Sequence, residues 1–367
     1  MRVALVHDWL NQYGGAERVL EVLHDLFPTA PIYTSMFAPE VFPPSYRSWD
    51  IRTSFLQRLP QVTRKHQRYL PFYPAAFETF DLSGYDLVLS NSSGFCHLVR
   101  TPPATCHLNY CLTPPRFLWN LSAYLDREQI GGLLRRVLPL VVAPLRSWDA
   151  RARQRVDAFV AISQAVQQRI RRCYGRESGL VYPPVDCAQF TPSHERGDYY
   201  LIVSRLVPYK RVDLAVQAFN RLGLPLLIAG TGRDRAALEA RAAPNVKFLG
   251  RVPQDELAAL YAGCRAFLFP GEEDFGIAPL EAQAAGRPVI AYAAGGALET
   301  VVAGQTGVFF HEPTPEALAA AVEQVEGMRF DHRDIRRHAE EFDLPVFRRR
   351  LMATIDAALA AYRAAVR

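Results

Sequence analysis

Short apolar runs rich in β-branched residues alternate along this chain with longer segments of helical periodicity. The runs occupy 3–6, 86–90, 158–163, 200–203, 225–229, 246–249, 266–269 and 288–291. Such alternation is typical of βαβ units, in which parallel strands form one sheet and helices cover its faces. The pattern therefore predicts an α/β protein. The Pro-rich and aromatic-rich stretch 101–120 is interpreted as a long loop.

The length of the chain indicates more than one domain. Its 367 residues are too many for one ordinary core and suit two domains of similar size. Pro183 and Pro184 disfavour both a helix and a central strand, so we place the linker there. The sequence predicts Rossmann-like domains over 1–182 and 187–345, followed by a terminal helix over 346–367.

The composition excludes several classes of protein. Hydrophobic residues make up 49% and charged residues 22%, which are values of an ordinary globular chain. The net charge of +5 is too small for a dedicated nucleic-acid binder, so no nucleic-acid partner is expected. No apolar run approaches the ~20 residues that span a bilayer. We expect a cytoplasmic protein whose six cysteines are reduced thiols.

Two glutamates flank a predicted helix start. Glu273 follows the strand 266–269 and so occupies the carboxyl end of that strand, where open α/β sheets bind ligands. Glu281 lies about two turns into the helical segment that follows. The backbone N–H groups from Phe275 to Ala278 lie at the start of that segment and suit an anion. A surface acidic loop before a core helix is the alternative.

A second segment carries two cations. Arg205 directly follows the strand 200–203, and Lys210 lies near the start of the next helix. Positive charge at a helix N-terminus opposes the helix dipole, so a bound diphosphate would explain the arrangement. A solvated basic loop is the alternative. Gly14 and Gly15, after the first strand, would allow a ligand to approach the backbone, although a simple tight turn explains them equally well.

A nicotinamide cofactor is not expected. Gly230 and Gly232 follow a strand, but Arg235 stands where a dinucleotide-binding motif would place its third glycine. The next strand is not followed by an acidic residue that could hold a ribose.

Taken in order, these segments resemble glycosyltransferase family 4, the retaining nucleotide-sugar transferases of GT-B fold, over nearly the whole chain. The segments that carry the resemblance are His7-Asp8-Trp9-Leu10, Gly14-Gly15-Ala16-Glu17-Arg18, Thr113-Pro114-Pro115-Arg116, Tyr182-Pro183-Pro184-Val185-Asp186, Ser204-Arg205 with Lys210, Glu273 to Glu281, and Gly295-Gly296 before Glu299. The resemblance implies two Rossmann-like domains that face a central crevice, and a terminal helix that crosses back onto the N-terminal domain.

The resemblance also implies roles for individual residues. Arg205 and Lys210 would bind the diphosphate and Glu273 the transferred sugar, which makes these three the candidate catalytic residues. Glu281 would bind the ribose of the donor. The other donor-binding candidates act through their backbones, and they are Gly14, Gly15, Phe275, Gly276 and Ile277. No metal or other cofactor is expected, because the two cations would neutralise the leaving diphosphate.

The acceptor side is less defined by the resemblance. Arg116 and His107 are the candidate residues, and a structural role is the alternative for His107. Leu112 and Asn120 stand where many relatives carry His and Asp. Basic and aromatic residues are concentrated at 64–74 and 135–155, and such segments suit an anionic membrane surface. A solvated helix face beside a core segment is the alternative.

The resemblance is to bacterial mannosyl- and hexosyltransferases of surface polysaccharide synthesis. It implies a retaining, metal-independent enzyme that moves a hexose such as mannose from a nucleotide diphosphate sugar to a glycan or lipid-linked acceptor, in the cytoplasm or peripherally on the inner face of the membrane. Two alternatives stay open, namely a sugar-nucleotide epimerase of the same shape and a non-catalytic nucleotide-sugar-binding protein.

Overall fold

The structure, a computed structural model, describes residues 1–122, 125, 132–192, 195 and 197–366. The chain divides into two units. The first contains the N-terminal part of the chain up to Tyr182 together with the residues from Arg348 onwards, and the second contains Pro183–Phe347.

The first unit contains a parallel sheet, which has seven strands within the described residues. The strands are β1 (Val3–His7), β2 (Ile32–Thr34), β3 (Ile51–Thr53), β4 (Leu87–Ser92), β5 (Cys106–Cys111), β6 (Ala158–Ala161) and β7 (Ser178–Leu180). Their order across the sheet is β3-β2-β1-β4-β5-β6-β7, and every neighbouring pair is parallel. The order therefore reverses between β1 and β4, which is the switch point of a Rossmann-like sheet.

The second unit repeats this plan with a parallel sheet that has six strands in the described part of the chain. The strands are β8 (Tyr199–Val203), β9 (Leu226–Ala229), β10 (Val246–Gly250), β11 (Cys264–Phe269), β12 (Val289–Tyr292) and β13 (Gly307–Phe310). Their order is β10-β9-β8-β11-β12-β13. The switch point lies between β8 and β11, whose carboxyl ends lead into the segments that carry Arg205 and Glu273.

Helices connect the strands in both units. In the first unit they are α1 (Gly15–Leu26), α2 (Val62–Lys65), α3 (Tyr73–Glu78), α4 (Arg116–Trp119), α5 (Gly132–Asp149) and α6 (Gln164–Tyr174). The helices that follow are α7 (Val212–Leu222), α8 (Arg235–Glu239), α9 (Gln254–Gly263), α10 (Ile277–Ala284), α11 (Ala297–Thr300), α12 (Pro315–Gly327), α13 (His332–Glu340) and α14 (Leu344–Val366).

The stretch 101–120 is not the long loop that its prolines predict. It contains the buried strand β5 and the short helix α4. The strand was missed because polar residues interrupt the apolar ones in its sequence, Cys-His-Leu-Asn-Tyr-Cys. Inside the sheet those polar side chains bond to the neighbouring strand β4, where Asn109 donates to Ser90 Oγ at 2.8 Å.

The terminal helix α14 begins at Leu344, slightly before the predicted start. Pro345 is tolerated because the first turn of a helix needs no donated backbone hydrogen bond. The helix continues from the second unit into the residues of the first, where Tyr362 donates to the carbonyl of Pro103 at 2.6 Å.

Candidate functional site

The predicted catalytic residues meet at the carboxyl edge of the second sheet. β8 leads into Arg205 and Lys210, and the neighbouring strand β11 leads into Glu273. The Lys210 ammonium forms an ion pair with Oε1 of Glu273, and these side chains are only 14% and 20% exposed. The fold therefore brings together a cation and a carboxylate that are 63 positions apart in the sequence.

Tyr209 lies between the two predicted cations. Its hydroxyl accepts a hydrogen bond from Nη2 of Arg205 at 2.7 Å, and its ring centre lies 5.3 Å from Nζ of Lys210. A cation at this distance is attracted by an aromatic ring. Sequence reasoning missed Tyr209, although its place between the two cations was a usable signal.

The backbone that carries Lys210 is tightly turned. Residues Pro208–Lys210 form one 3-10 turn, and Arg211 follows with φ 52° and ψ 35°, in the left-handed region that a bulky side chain seldom adopts. Gly271 packs against this turn, since a Cβ there would lie 2.7 Å from the carbonyl oxygen of Tyr209. The two loops thus touch backbone to backbone, which fixes Lys210 beside Glu273.

A third loop holds Glu273 from its other side. The carbonyl of Glu273 accepts a hydrogen bond from the N–H of Gly296 at 2.9 Å. Gly295 has φ +58°, and a Cβ there would collide with the same carbonyl oxygen. The Gly295-Gly296 pair therefore allows the loop after β12 to approach the Glu273 backbone.

The predicted donor-binding segment begins with a sharp turn at Gly276. Gly276 has φ 92° and ψ 90° and precedes α10, so Glu281 lies one turn into this helix, not the two turns that the sequence predicts. The first N–H groups of a helix have no partner within it, and here they belong to Ile277 and its successors. Phe275, the residue before Gly276, is buried.

Glu281 is buried and already engaged. Its Oε2 accepts a hydrogen bond from the Tyr261 hydroxyl at 2.7 Å. Tyr261 lies in α9, and sequence reasoning missed it because tertiary packing alone brings this helix beside α10. One carboxylate oxygen of Glu281 is thus positioned by a neighbouring phenol.

In the first unit, Gly14 and Gly15 lie at the start of α1, with Gly14 in extended backbone as the residue before the helix. The loop after β4 is anchored beside them by Asp8, which directly follows β1. The buried carboxylate of Asp8 accepts backbone N–H groups at 2.6 to 2.7 Å from Ser93, Gly94, Phe95 and Cys96. Asp8 belongs to one of the sequence motifs, but the sequence did not predict its role.

A buried polar network supports the first turn of α1. The Asn91 amide donates to the carbonyl of Ala16 at 3.0 Å and lies 3.3 Å from Nδ1 of His7. Nε2 of His7 lies 3.6 Å from Oε1 of Glu17. These side chains join the ends of β1 and β4 to the helix that follows Gly14.

The acceptor-side candidates differ in their surroundings. Arg116 is the first residue of α4 and is half-buried. His107 lies inside β5 with no exposed surface, 2.8 Å from Ser90 Oγ and 3.3 Å from the carbonyl of Arg155. Burial, together with the nearby His97, lowers the pKa of His107 to about 3. This environment favours the structural role that the sequence left open for His107.

The described residues contain no cluster of three His, Cys, Asp or Glu side chains that could hold a metal ion. Within the same residues, no helix combines the length and the apolar character that a bilayer-crossing segment needs.

Two family models match consecutive parts of the chain. The model described as Glycosyltransferase Family 4 matches residues 13–189, and the model described as Glycosyl transferases group 1 matches residues 188–342. The chain belongs to glycosyltransferase family 4. The resemblance inferred from the motifs is thereby confirmed.

Curated relatives of this family 4 chain include enzymes that act on inositol compounds. A GDP-mannose-dependent alpha-(1-6)-phosphatidylinositol monomannoside mannosyltransferase from Mycolicibacterium smegmatis is 32% identical in an alignment of 198 residues, and the match covers 45% of this chain and 52% of the relative. A D-inositol 3-phosphate glycosyltransferase from Mycobacteroides abscessus is 30% identical in an alignment of 234 residues, and the match covers 57% of this chain and 51% of the relative. The matches thus span about half the length of these relatives.

Solved structures share the fold of the family 4 chain. Sucrose-phosphate synthase from Thermosynechococcus elongatus superposes with a TM-score of 0.72 at 17% identity, covering 98% of this chain and 100% of that one. Anabaena HepE in complex with UDP-glucose gives a TM-score of 0.70 at 18% identity, covering 97% and 100%. Likeness at these identities concerns the fold alone, and it confirms the predicted GT-B class with two Rossmann-like halves.

Proposed function

We propose that this chain is a retaining glycosyltransferase that moves a hexose from a nucleotide diphosphate sugar to a glycan or lipid-linked acceptor. The observation that carries the proposal is the meeting of Lys210 with Glu273 at the carboxyl edge of β8 and β11, beside Arg205. Cations at this edge suit a diphosphate, and a carboxylate suits sugar hydroxyls. Family membership supports the same activity.

The chemistry needs a stabilised leaving group. The bond between the anomeric carbon and the diphosphate breaks with its electron pair going to the phosphate oxygen, where Arg205 and Lys210 offset the developing charge. The acceptor oxygen then bonds to the same face of that carbon, and its proton passes to the departing phosphate. This route needs no imidazole at Leu112, and the two cations take the place of a divalent metal.

The donor is proposed from the relatives. The matched mannosyltransferase depends on GDP-mannose, and HepE was solved with UDP-glucose. We therefore propose mannose from GDP-mannose as the first donor to test, and UDP-glucose as the second.

The test combines each donor with lipid-linked and glycan acceptors in the presence of a chelator. The expected product keeps the anomeric configuration of the donor, as read by NMR. Arg205→Ala and Lys210→Ala should each cost roughly 2–4 kcal/mol of transition-state stabilisation, by analogy with oxyanion-hole donors. Arg221→Ala is the matched control, because Arg221 pairs with Glu316 on the surface of the same unit.

The same assay separates the alternatives. An epimerase would convert the donor without any acceptor, and a non-catalytic binding protein would hold the donor without releasing nucleoside diphosphate. Transfer that is lost on chelation would exclude the metal-independent mechanism, and a product of inverted configuration would exclude retention.

We further propose that the first unit binds an anionic membrane surface through α5. This helix exposes Leu140 (76%) and Val137 (42%) next to the exposed Arg135 and Arg136. Apolar side chains beside basic ones suit the boundary between acyl chains and anionic headgroups. A lipid-linked acceptor would then reach the enzyme at the cytoplasmic face of a membrane.

Flotation with phosphatidylcholine vesicles, with and without phosphatidylglycerol, tests this surface. Leu140→Asp should weaken binding to the anionic vesicles by about tenfold, because the variant lacks the leucine side chain that would be buried in the membrane. Leu298→Asp is the matched control, since Leu298 is 58% exposed but lies in the second unit. Equal binding by both variants would exclude α5 as the contact.

A further inference from the structure

The Lys210 ammonium and the Glu273 carboxylate form an ion pair with each other. Their side chains are mostly buried, at 14% and 20% exposure, so water screens the attraction only partly. A diphosphate that binds Lys210 must therefore compete with the Glu273 carboxylate for the same ammonium group. This competition affects different ligands unequally.

A nucleotide sugar supplies a new partner to each member of the pair. Its diphosphate takes Lys210 and its sugar hydroxyls donate to Glu273, in the roles assigned under the proposed function. A free nucleoside diphosphate supplies a partner only to Lys210. It leaves a partly buried carboxylate without its cation and close to further negative charge, which is unfavourable.

We propose that Glu273 selects the donor over the product by competing with the diphosphate for Lys210. Once the sugar has been transferred, its hydroxyls no longer engage the carboxylate, and Glu273 pairs again with Lys210 and weakens the hold on nucleoside diphosphate. The inference rests on the proposed function and adds to it a specificity-determining role for Glu273.

The backbone geometry keeps the competitor in place. The Glu273 carbonyl is bonded to the Gly296 N–H at 2.9 Å, and the close approach of Gly271 to Tyr209 joins the two loops. Arg211 closes the turn that carries Lys210. Since both backbones are held, the carboxylate stays within reach of the ammonium when a ligand enters.

Calorimetric titration with GDP and UDP tests the inference. Glu273→Gln removes the competing charge at nearly constant shape, so it should bind the nucleoside diphosphate about five- to tenfold more tightly than the wild type, as expected for a partly buried ion pair. Binding of the matching nucleotide sugar should not tighten. The ratio of the two affinities therefore shifts towards the product.

Two further variants show whether the gain in affinity comes from breaking this ion pair or from removing any negative charge. Glu272→Gln removes the same charge from the exposed neighbour in the same loop and should leave the affinity unchanged. In a Lys210→Met background, Glu273→Gln should give no gain, because the gain requires the ammonium.

The outcomes are distinct. Equal or weaker nucleoside diphosphate binding by Glu273→Gln overturns the inference, as does an equal gain in Glu272→Gln or a gain that persists with Lys210→Met. In each of these cases binding by the wild type leaves the proposed donor site standing. If neither the wild type nor any variant binds GDP or UDP, both the proposed function and this inference fail.

Discussion

The Tyr209 hydroxyl accepts a hydrogen bond from Arg205 at 2.7 Å while the ring of the same residue lies 5.3 Å from the Lys210 ammonium. One side chain thus contacts both cations that are proposed to bind the diphosphate. Because the hydroxyl serves Arg205 and the ring serves Lys210, the two contacts can be removed separately. We therefore propose that Tyr209 positions both cations, a role that can be measured.

Tyr209→Phe should lower turnover while keeping most of the affinity for the donor. The variant loses the charge-assisted hydrogen bond that orients the guanidinium, and hydrogen bonds to charged groups are worth about 1.5–3 kcal/mol. Tyr209→Leu, which also loses the ring, should cost more because the cation–π contact with Lys210 is removed as well. Steady-state kinetics on both variants decides the matter, and equal activity of Tyr209→Phe and the wild type would contradict the positioning role.

Asp8→Asn should destabilise the first unit by about 2–4 kcal/mol. The amide nitrogen of the variant would face backbone N–H groups whose hydrogen bonds are accepted by the carboxylate in the wild type. The four tryptophans, Trp9, Trp49, Trp119 and Trp148, all precede Tyr182, so their fluorescence during urea unfolding reports on this unit. Asp86→Asn is the control, since Asp86 is half exposed and accepts the Arg2 N–H. A loss no larger than in the control would show that the Asp8 contacts do not hold the loop.

His107 should make the first unit less stable in mild acid. Its pKa of about 3 lies below the ordinary value of 6.5, so between these values the unfolded chain binds a proton that the folded chain does not. Its contribution to stability is complete above pH 6.5 and is lost as the pH falls towards 3, by at most about 1.4 kcal/mol per pH unit.

Urea unfolding of the wild type and of His107→Gln at pH 7 and pH 5, followed by tryptophan fluorescence, measures this slope. The variant lacks the titrating group, so its stability should change less between the two pH values than that of the wild type. Identical pH dependence in both proteins would contradict a neutral, buried imidazole.

Eight of the thirteen strands in the described residues coincide with a predicted apolar run, whereas β2, β3, β5, β7 and β13 were not predicted. Of these, β2, β3 and β7 have only three residues each, too few to form a distinct run. The strand 266–269 is recognisable as Ala-Phe-Leu-Phe, and the structure extends it only to Cys264–Phe269. β5 was not predicted because it contains the polar residues His107 and Asn109. Both side chains are hydrogen-bonded to Ser90 on the neighbouring strand, which allows them to be buried. A polar network between strands depends on which strands are neighbours in the sheet. The residue pattern within one strand does not predict which strands these are.

The candidate site, too, was predicted only in part from the sequence. The carboxyl ends of strands could be located from periodicity, so Arg205 and Glu273 were expected at one edge of a sheet. The ion pair between Lys210 and Glu273 and the contact between Tyr261 and Glu281 could not be foreseen, because they depend on how separate loops and helices pack. Gly271 and Gly295 explain the packing only once their neighbours are known.

We propose that one donor lies across the loop from Glu273 to Glu281, with its sugar at the first residue and its ribose at the second. Glu281→Gln should weaken nucleoside diphosphate binding by about 1–3 kcal/mol, because an amide loses part of the capacity to accept two hydroxyl hydrogen bonds. Glu273→Gln should lose turnover without weakening nucleoside diphosphate binding, which removal of the competing charge should tighten.

Calorimetry with nucleoside diphosphate on these two variants, beside the turnover of each, is the most direct measurement. Opposite patterns are expected, with weakened nucleoside diphosphate binding in Glu281→Gln and impaired turnover with tighter binding in Glu273→Gln. The same pattern in both variants, or abolished nucleotide binding in Glu273→Gln alone, would contradict this placement of the donor.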